Sequence, residues 1–252
     1  MLEFKNVSLE IGGKKILEDV SFCVKEGKIT ALIGKNGSGK SSLLNLANGL
    51  LKFGGEILLC GKDIRSYKAK EKARLAAFLP QIMPETSLSV YSLVSLGRTP
   101  YTGGMGNLSS CDREAVCRAM ELTGIENLAG RNVSTLSGGE KRRVFIALLL
   151  AQETPLILLD EPTAYLDLSY TAELCSLLRE LCENHGKTVL VVMHELSAAL
   201  ELCDDVALID GGKPMFYGPK DELLESHITE EIFGVKKYIA YDGEKKGIFF
   251  FR

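Results

Sequence analysis

The stretch that decides the fold is Gly34-Lys35-Asn36-Gly37-Ser38-Gly39-Lys40-Ser41, which fits the pattern G-x-x-x-x-G-K-[ST] at every fixed position. It follows a short apolar run at Lys28–Ile33 and precedes a predicted helix at Ser41–Leu50, where leucines recur at helical spacing. Glycines in such a turn let backbone N–H groups converge on one point, and the helix N-terminus adds its positive dipole end. The sequence therefore predicts a phosphate-binding loop.

The side chains of this loop indicate a nucleotide with its metal. The Lys40 ammonium has the reach to contact β- and γ-phosphates, and the Ser41 hydroxyl is a ligand for Mg²⁺. A chance glycine-rich turn is the competing interpretation, and the strand–helix context argues against it. The predicted nucleotide contacts are Gly34, Lys35, Asn36, Gly37, Ser38, Gly39, Lys40, Ser41 and Ser42.

Strands alternate with helices along the chain, which is typical of an α/β core with a largely parallel sheet. Short strands with turns at Gly12-Gly13 and Glu26-Gly27 open the chain. Prolines and glycines interrupt the region after residue 82, and we expect residues 82–136 to form an inserted, mostly helical lobe. The tail, 221–252, carries a β-hairpin pattern with a turn at Asp242-Gly243. We predict one domain over residues 1–252.

Composition narrows the classes of protein. The net charge of -3 gives no reason to expect general affinity for nucleic acid. No segment approaches the roughly 18–20 apolar residues of a membrane span, and no signal peptide precedes the first strand, so a soluble, cytoplasmic protein is expected. The seven cysteines form no Cys-x-x-Cys pair. We expect them to be small buried residues rather than a zinc or redox site.

A second acidic site follows the apolar run Leu156–Leu159. Asp160 and Glu161 end this buried-strand pattern with two carboxylates. The first is placed to hold a metal and the second to polarise an attacking water. The alternative interpretation is that the two acids lie in a solvated turn. The presence of a phosphate loop in the same chain argues against it.

A second helix start lies at Leu136-Ser137-Gly138-Gly139-Glu140. Ser137 and Glu140 fit a capping box, so a purely structural interpretation exists. A cap does not require Gly138 and Gly139, which leave backbone N–H groups uncovered at the helix N-terminus. The chain thus offers a second site for anions.

Taken together, the motifs resemble the ATP-binding-cassette (ABC) ATPases from about residue 1 to 220. The order is the phosphate loop, a glutamine after a strand, Leu-Ser-Gly-Gly, Ile157–Pro162, and a histidine after an apolar strand. The resemblance implies a P-loop NTPase core with a RecA-like, mostly parallel sheet, an antiparallel β subdomain and an inserted helical subdomain. It also implies ATP and Mg²⁺ as ligands and ATP hydrolysis as the activity.

The same resemblance assigns roles. Glu161 is the general base, and His194 bridges the γ-phosphate and Glu161, although outside the family it would be an ordinary strand-end histidine. Gln81 is the Q-loop residue. The implied catalytic residues are Glu161, His194 and Lys40, and the implied metal ligands are Ser41, Gln81 and Asp160.

Each active site of this family needs one chain's phosphate loop and another chain's Leu-Ser-Gly-Gly. Ser137, Gly138, Gly139 and the D-loop residue Asp167 would therefore act across a head-to-tail homodimer closed by ATP. The implied partners are transmembrane permease subunits and, indirectly, an extracytoplasmic solute-binding protein, with the chain on the inner face of the membrane. Nucleic acid is not among them.

Leu96-Gly97-Arg98-Thr99-Pro100-Tyr101 is similar to a stretch in importers for iron-siderophore, haem and cobalamin. Arg98 is either a solvated arginine or a residue near the membrane-partner groove. The chain departs from its relatives at three positions. Ile11 stands where an aromatic commonly stacks on adenine, Glu140 replaces a glutamine, and Tyr165 widens the D-loop. We expect Lys141-Arg142-Arg143 to offset the Glu140 charge.

Three other functions fit parts of the pattern. The first is a soluble cassette ATPase without transport, such as one in iron–sulfur assembly. That function does not account for the Leu-Gly-Arg stretch. A cassette acting on nucleic acid or ribosomes usually has two cassettes or a long coiled-coil insertion. A binding module without turnover is at odds with Lys40, Asp160, Glu161 and His194 together.

Overall fold

A computed structural model describes residues 1–102, 107–163, 168–242 and 245–251. The strands are β1 Leu2–Ile11, β2 Lys14–Val24, β3 Ile29–Ile33, β4 Gly54–Leu59, β5 Lys62–Asp63, β6 Ala76–Leu79, β7 Leu156–Asp160, β8 Thr188–Val192, β9 Asp205–Asp210, β10 Lys213–Pro219, β11 Lys236–Asp242 and β12 Lys245–Phe251. The helices are α1 Lys40–Ala47, α2 Ala69–Lys72, α3 Val90–Ser95, α4 Thr99–Thr102, α5 Ser110–Leu122, α6 Gly138–Ala151, α7 Leu168–His185, α8 Leu196–Leu202, α9 Lys220–Glu225 and α10 Ile228–Phe233.

The chain forms two compact units, one of Met1–Ser66 with Leu178–Arg252 and one of Tyr67–Leu177. The predicted strands and helices outside the tail are present, with ends shifted by a residue or a few. None of the helices in the described ranges is long and apolar enough to cross a membrane.

The first unit contains an antiparallel sheet in the order β2-β1-β4-β5. Alternating residues of β1 and β2 are buried, which is the pattern of a sheet with one solvated face. The rings of Phe4 and Phe22 lie opposite each other in the register and stack with centroids 4.4 Å apart. This sheet matches the antiparallel β subdomain that the resemblance to ABC ATPases implies.

In the second sheet of the first unit, β3 is a central strand. Every residue of β3 and β8 is buried, as expected for strands covered on both faces. β3 runs parallel to β8 and to β9, and β10 closes this side antiparallel to β9. The C-terminal end of β3 therefore leads directly into the phosphate loop.

In the second unit, β6 pairs parallel with β7, and α3, α5 and α6 pack on one another. α5 begins with a capping box in which the Ser109 hydroxyl accepts from the Asp112 N–H and the Asp112 carboxylate accepts from the Ser109 N–H. The described part of 82–136 consists of helices and loops with one isolated bridge, Ser89 to Asn132. The bounds of the inserted lobe stay a prediction.

The tail is more structured than expected. β11 and β12 pair antiparallel, as the hairpin pattern predicts, from Lys236↔Phe251 to Asp242↔Lys245. The short helices α9 and α10, which precede this hairpin, were not predicted. They bury Leu223, Leu224 and Ile232, too few apolar positions to show a helical period in sequence.

The prediction of buried cysteines is wrong for most of them. Cys182 and Cys203 are buried, but Cys60, Cys111 and Cys117 are exposed. Cys111 and Cys117 lie on α5, whose apolar face is filled by alanine, valine and methionine, so they take the solvent side. Burial raises the pKa of the Cys203 thiol to about 12, which keeps that cysteine protonated.

Candidate nucleotide-hydrolysing site

The phosphate loop connects β3 to α1. Gly37 and Gly39 have φ angles of 77° and 101°, a region that glycine adopts without strain. The Lys40 ammonium donates hydrogen bonds of 2.8 Å to the carbonyl oxygens of Gly34 and Lys35. These bonds place a buried positive charge inside the loop. The arrangement is that of an anion cradle with its lysine preorganised.

The remaining loop residues differ in exposure. Lys35, Asn36 and Gly37 are exposed, whereas Ser38 is buried and its hydroxyl has no hydrogen-bond partner in the part of the chain that the structure describes. Ser41 and Ser42 lie half-buried in the first turn of α1. The N–H groups of such a turn lack partners within the helix and are suited to phosphate oxygens.

Position 34 requires glycine because the backbone of β9 lies very close to it. A Cβ at this position would lie 2.0 Å from the Ile209 carbonyl oxygen of β9 and 2.8 Å from the Ser38 hydroxyl. Backbone atoms cannot yield by that amount without moving β9 or the loop. The glycine therefore sets how closely the loop lies against the sheet.

We expect Gly34→Ala to weaken ATP binding by about 10- to 100-fold, in line with the 1–3 kcal/mol typical of imposed backbone strain. Gly37→Ala is the matched control. It also has a positive φ, but no atom lies within 4 Å of its added Cβ. Titration with a fluorescent ATP analogue measures both variants, and equal losses would contradict the close-approach explanation.

The acidic part of the site lies at the C-terminal end of β7 in the second unit. Asp160 and Glu161 have relative exposures of only 4% and 8%, so the interpretation as a solvated turn is wrong. The Gln81 side-chain amide, which follows β6, donates a 2.6 Å hydrogen bond to Glu161 Oε2. The parallel pairing of β6 with β7 brings these two residues to the same sheet edge.

Glu161 has a left-handed backbone conformation, with φ 48°. A non-glycine residue in this region costs roughly 1–2 kcal/mol, and such strain clusters at functional sites. The strain is tolerated because surrounding groups hold the residue. Glu161 is thus a buried carboxylate in a fixed, strained position.

One of those groups is Arg142. The sequence predicted another role for it, which was to offset the charge of Glu140. Its guanidinium turns inward from α6, with 6% exposure, and donates to the carbonyl oxygens of Gln81, Glu161 and Pro162. It therefore does not offset the charge of Glu140 at the surface. The sequence signal was weak, because a buried arginine inside a basic run is indistinguishable from a solvated one.

The Leu-Ser-Gly-Gly stretch forms the N-terminus of α6. The Ser137 N–H and hydroxyl donate to Glu140 Oε2 at 2.8 Å and 2.7 Å, and the Glu140 N–H donates to the Ser137 hydroxyl. The capping box is therefore present. The N–H of Ser137 lowers the pKa of the Glu140 carboxyl, and Arg131, 3.7 Å from Glu140, supplies part of the countercharge.

The helix start is nevertheless open. Ser137 and Gly138 are exposed, and a Cβ at Gly138 or Gly139 would meet nothing within 4 Å. Such a surface is accessible to a ligand presented by another molecule. The cap and the proposed anion site are compatible with each other.

Four other predicted residues differ in where they lie. His194 is exposed and lies just beyond the end of β8. Asp167 and Tyr165 lie outside the described residues. Ile11 is half exposed at the end of β1, and its relation to adenine stays a prediction.

Arg98 is not a solvated side chain. It is 4% exposed, and its guanidinium donates to Asp112 Oδ1 at 2.9 Å and to Glu153 Oε2 and the Ala151 carbonyl at 2.8 Å. The Tyr101 ring lies 4.1 Å from the guanidinium carbon. Arg98 therefore fixes the Leu-Gly-Arg segment onto α5 and the end of α6.

Comparison with known proteins gives the family. The family model described as ABC transporter matches residues 17–164. The iron(3+)-hydroxamate import ATP-binding protein FhuC of Bacillus subtilis is 37% identical over 244 residues, which cover 96% of this chain and 90% of that protein.

Solved structures agree. One, described as an inward-facing conformation of a metal-chelate type ABC transporter, has a TM-score of 0.85 at 26% identity, covering 99% of this chain and 96% of that chain. Another is the dimeric, post-hydrolysis ATP-binding cassette MJ0796 bound to ADP and Pi, with a TM-score of 0.75, 28% identity, and coverage of 87% and 99%. The predicted fold class is confirmed. The chain belongs to the ABC transporter family and is one of its ATP-hydrolysing subunits.

Proposed function

We propose that the chain energises a membrane importer for iron chelates such as ferric siderophores, with haem and cobalamin as related solutes. The solute class rests on the Leu96–Tyr101 stretch and on relatives described as importing iron(3+)-hydroxamate or as metal-chelate type transporters. The alternative of a soluble cassette ATPase without transport is not favoured by such relatives.

The observation that carries the catalytic assignment is the 2.6 Å hydrogen bond from Gln81 to the buried Glu161 carboxylate. Glu161 takes the proton of the attacking water, whose oxygen bonds to the γ-phosphorus as the bond to the ADP oxygen breaks. Lys40 and the N–H groups of the phosphate loop compensate charge on the phosphoryl oxygens. We assign His194 to the γ-phosphate side of the same reaction.

We propose Ser41, Gln81 and Asp160 as the residues that hold Mg²⁺. Their hydroxyl, amide and carboxylate oxygens are the hard donors that this ion prefers, and they leave coordination positions for phosphate oxygens and water. Bound there, the ion would neutralise charge on the β- and γ-phosphates. The Asp160 carboxylate is buried, which makes a cationic neighbour favourable.

We infer that two copies of the chain close head to tail on ATP, with Ser137, Gly138, Gly139 and Asp167 of each copy facing the other copy's nucleotide. The open N-terminus of α6 supports this arrangement, because N–H groups at a helix start bind anions. Each chain carries one phosphate loop and one such helix start. Two equivalent sites therefore form in a symmetric dimer.

We expect the Glu161→Gln variant to dimerise in MgATP, because ATP that is not hydrolysed continues to bridge the two chains. Sedimentation velocity at millimolar ATP measures this, with ADP as the nucleotide control. The double variant Glu161→Gln with Gly138→Asp should bind ATP yet stay monomeric, since the aspartate fits sterically but repels phosphate. A Glu161→Gln protein that stays monomeric at millimolar ATP would contradict the proposal that two chains form each ATP site.

We further propose that the dimer docks on polytopic permease subunits at the inner face of the membrane, with a solute-binding protein on the other side. Affinity purification from detergent-solubilised native membranes, followed by mass spectrometry, tests this. We expect a stoichiometric polytopic membrane protein. Recovery with soluble partners alone would contradict the transport function while leaving the ATPase assignment intact.

A further inference from the structure

Arg142 joins the two chain segments that carry the catalytic pair. Its Nε donates to the Pro162 carbonyl oxygen at 2.9 Å, and its Nη1 donates to the Gln81 carbonyl oxygen at 3.2 Å. Its Nη2 donates to the carbonyl oxygen of Glu161 and, at 3.5 Å, to that of Asp160. One guanidinium therefore bridges the segment after β6 and the C-terminal end of β7 with the two residues that follow it.

We propose that Arg142 is a positioning residue for ATP hydrolysis, which holds Gln81 and Glu161 in the relative placement that their side-chain hydrogen bond requires. The inference rests on the proposed role of Glu161 as general base. In this role Arg142 contacts neither nucleotide nor water. It acts only through the backbone of the two residues.

The chemistry of the contacts favours a positioning role over an ordinary ion pair. All four acceptors are main-chain carbonyl oxygens, and a planar fork of donors can satisfy several of them in fixed directions. A cation buried among carbonyls is costly unless these hydrogen bonds are kept. The guanidinium therefore restricts where these carbonyl groups can lie.

The backbone conformation of Glu161 shows why this restraint is needed. Its φ of 48° is a strained conformation that persists only when neighbouring groups determine it. Arg142 fixes the Glu161 carbonyl, and Gln81, itself held by Arg142, fixes the carboxylate. Without the guanidinium, the residue can relax and carry its carboxylate away from the attacking water.

The neighbouring Lys141 supplies a matched control. It has the same charge one position earlier on α6, yet among the described residues its ammonium makes no hydrogen bond to Gln81 or to residues 160–162. Lys141→Gln removes a positive charge from the same helix. It should leave the rate of hydrolysis unchanged.

The test measures kcat, KM and ATP affinity for Arg142→Met, Arg142→Lys and Lys141→Gln in the purified full chain. We expect Arg142→Met to lower kcat by about 10- to 100-fold, the range for release of local backbone strain, with ATP affinity within about threefold. Arg142→Lys should recover part of the rate, because an ammonium can still bond some of the carbonyls. Arg142→Gln, which keeps a neutral donor, replaces Arg142→Met if the latter does not fold.

A double variant decides whether Arg142 acts through Glu161. Single-turnover hydrolysis is compared for Glu161→Gln with and without Arg142→Met. If the two residues form one unit, the second change adds nothing to the loss from the first. An equal fold loss in both backgrounds, an unchanged kcat in Arg142→Met, or a lost ATP affinity would overturn the proposal. Failure of the base assignment itself is seen separately, as near-normal hydrolysis in Glu161→Gln alone.

Discussion

Glu161→Gln should keep ATP binding and lower turnover at least about a hundredfold, the loss typical when a general base is removed. Glutamine preserves the size of the side chain and can still meet the Gln81 amide, but it cannot take a proton from water. The phosphate loop is unchanged, so the affinity for ATP should stay within about threefold. Steady-state phosphate release and nucleotide titration on the purified chain measure the two quantities.

The matched control is Glu180→Gln, which makes the same chemical change at an exposed position on α7. Its turnover should equal that of the wild type, because surface changes away from a site have small effects. Hydrolysis by Glu161→Gln within about tenfold of wild type would refute the assignment of Glu161 as base, since general-base loss is larger than that.

Arg98→Met should destabilise the second unit by about 3–5 kcal/mol, the cost typical of breaking a buried ion pair by removing one partner. The Asp112 carboxylate would lose the 2.9 Å bond from Arg98 and stay buried. Within the described part of the chain, Glu153 would keep only Arg118 as an ionic partner. Urea denaturation followed by circular dichroism measures the loss.

Two variants separate charge from packing in this network. Arg118→Met removes an exposed arginine that contacts the same Glu153, and should cost no more than about 1 kcal/mol. Arg98→Met combined with Asp112→Asn should recover part of the stability, because no unpaired charge is left at position 112. A double variant as unstable as Arg98→Met would show that the loss comes from packing against Tyr101 instead.

The pH dependence of this network has a definite sign. Hydrogen bonding by the Ser109 hydroxyl, followed by Arg98, lowers the pKa of the Asp112 carboxyl below its ordinary 3.8. A lowered folded-state pKa stabilises the fold at pH above the ordinary value, and this contribution is lost as the pH falls toward the folded-state pKa. The stability difference between wild type and Arg98→Met should therefore narrow below about pH 4.

The fold was largely predictable from local pattern. The fully apolar runs of β3, β7 and β8 are typical of strands buried on both faces, and the loop motif fixes where β3 passes into α1. The tail helices α9 and α10 were missed because six residues hold too little of a helical period. Exposure of Cys111 and Cys117 depends on which face of α5 packs, which the cysteine type alone does not determine.

The site was predictable to the level of residue types and not to the level of their contacts. Asp160 and Glu161 could be named because a strand pattern ends in two acids, and the structure buries both. The positive φ of Glu161 and the inward turn of Arg142 depend on tertiary packing between segments far apart in the chain. Sequence periodicity carries no signal for either feature, so all three residues of the basic run 141–143 were predicted to offset the Glu140 charge.

The most direct test of the import function is the uptake of radiolabelled ferric siderophore by cells whose only copy of this chain is wild type, Glu161→Gln or Glu180→Gln. Equal amounts of the three proteins in the membrane fraction make the rates comparable. If hydrolysis at Glu161 energises import, uptake is lost in Glu161→Gln and kept in Glu180→Gln. Uptake at the wild-type rate in Glu161→Gln cells would contradict the claim that this chain energises import of the iron chelate.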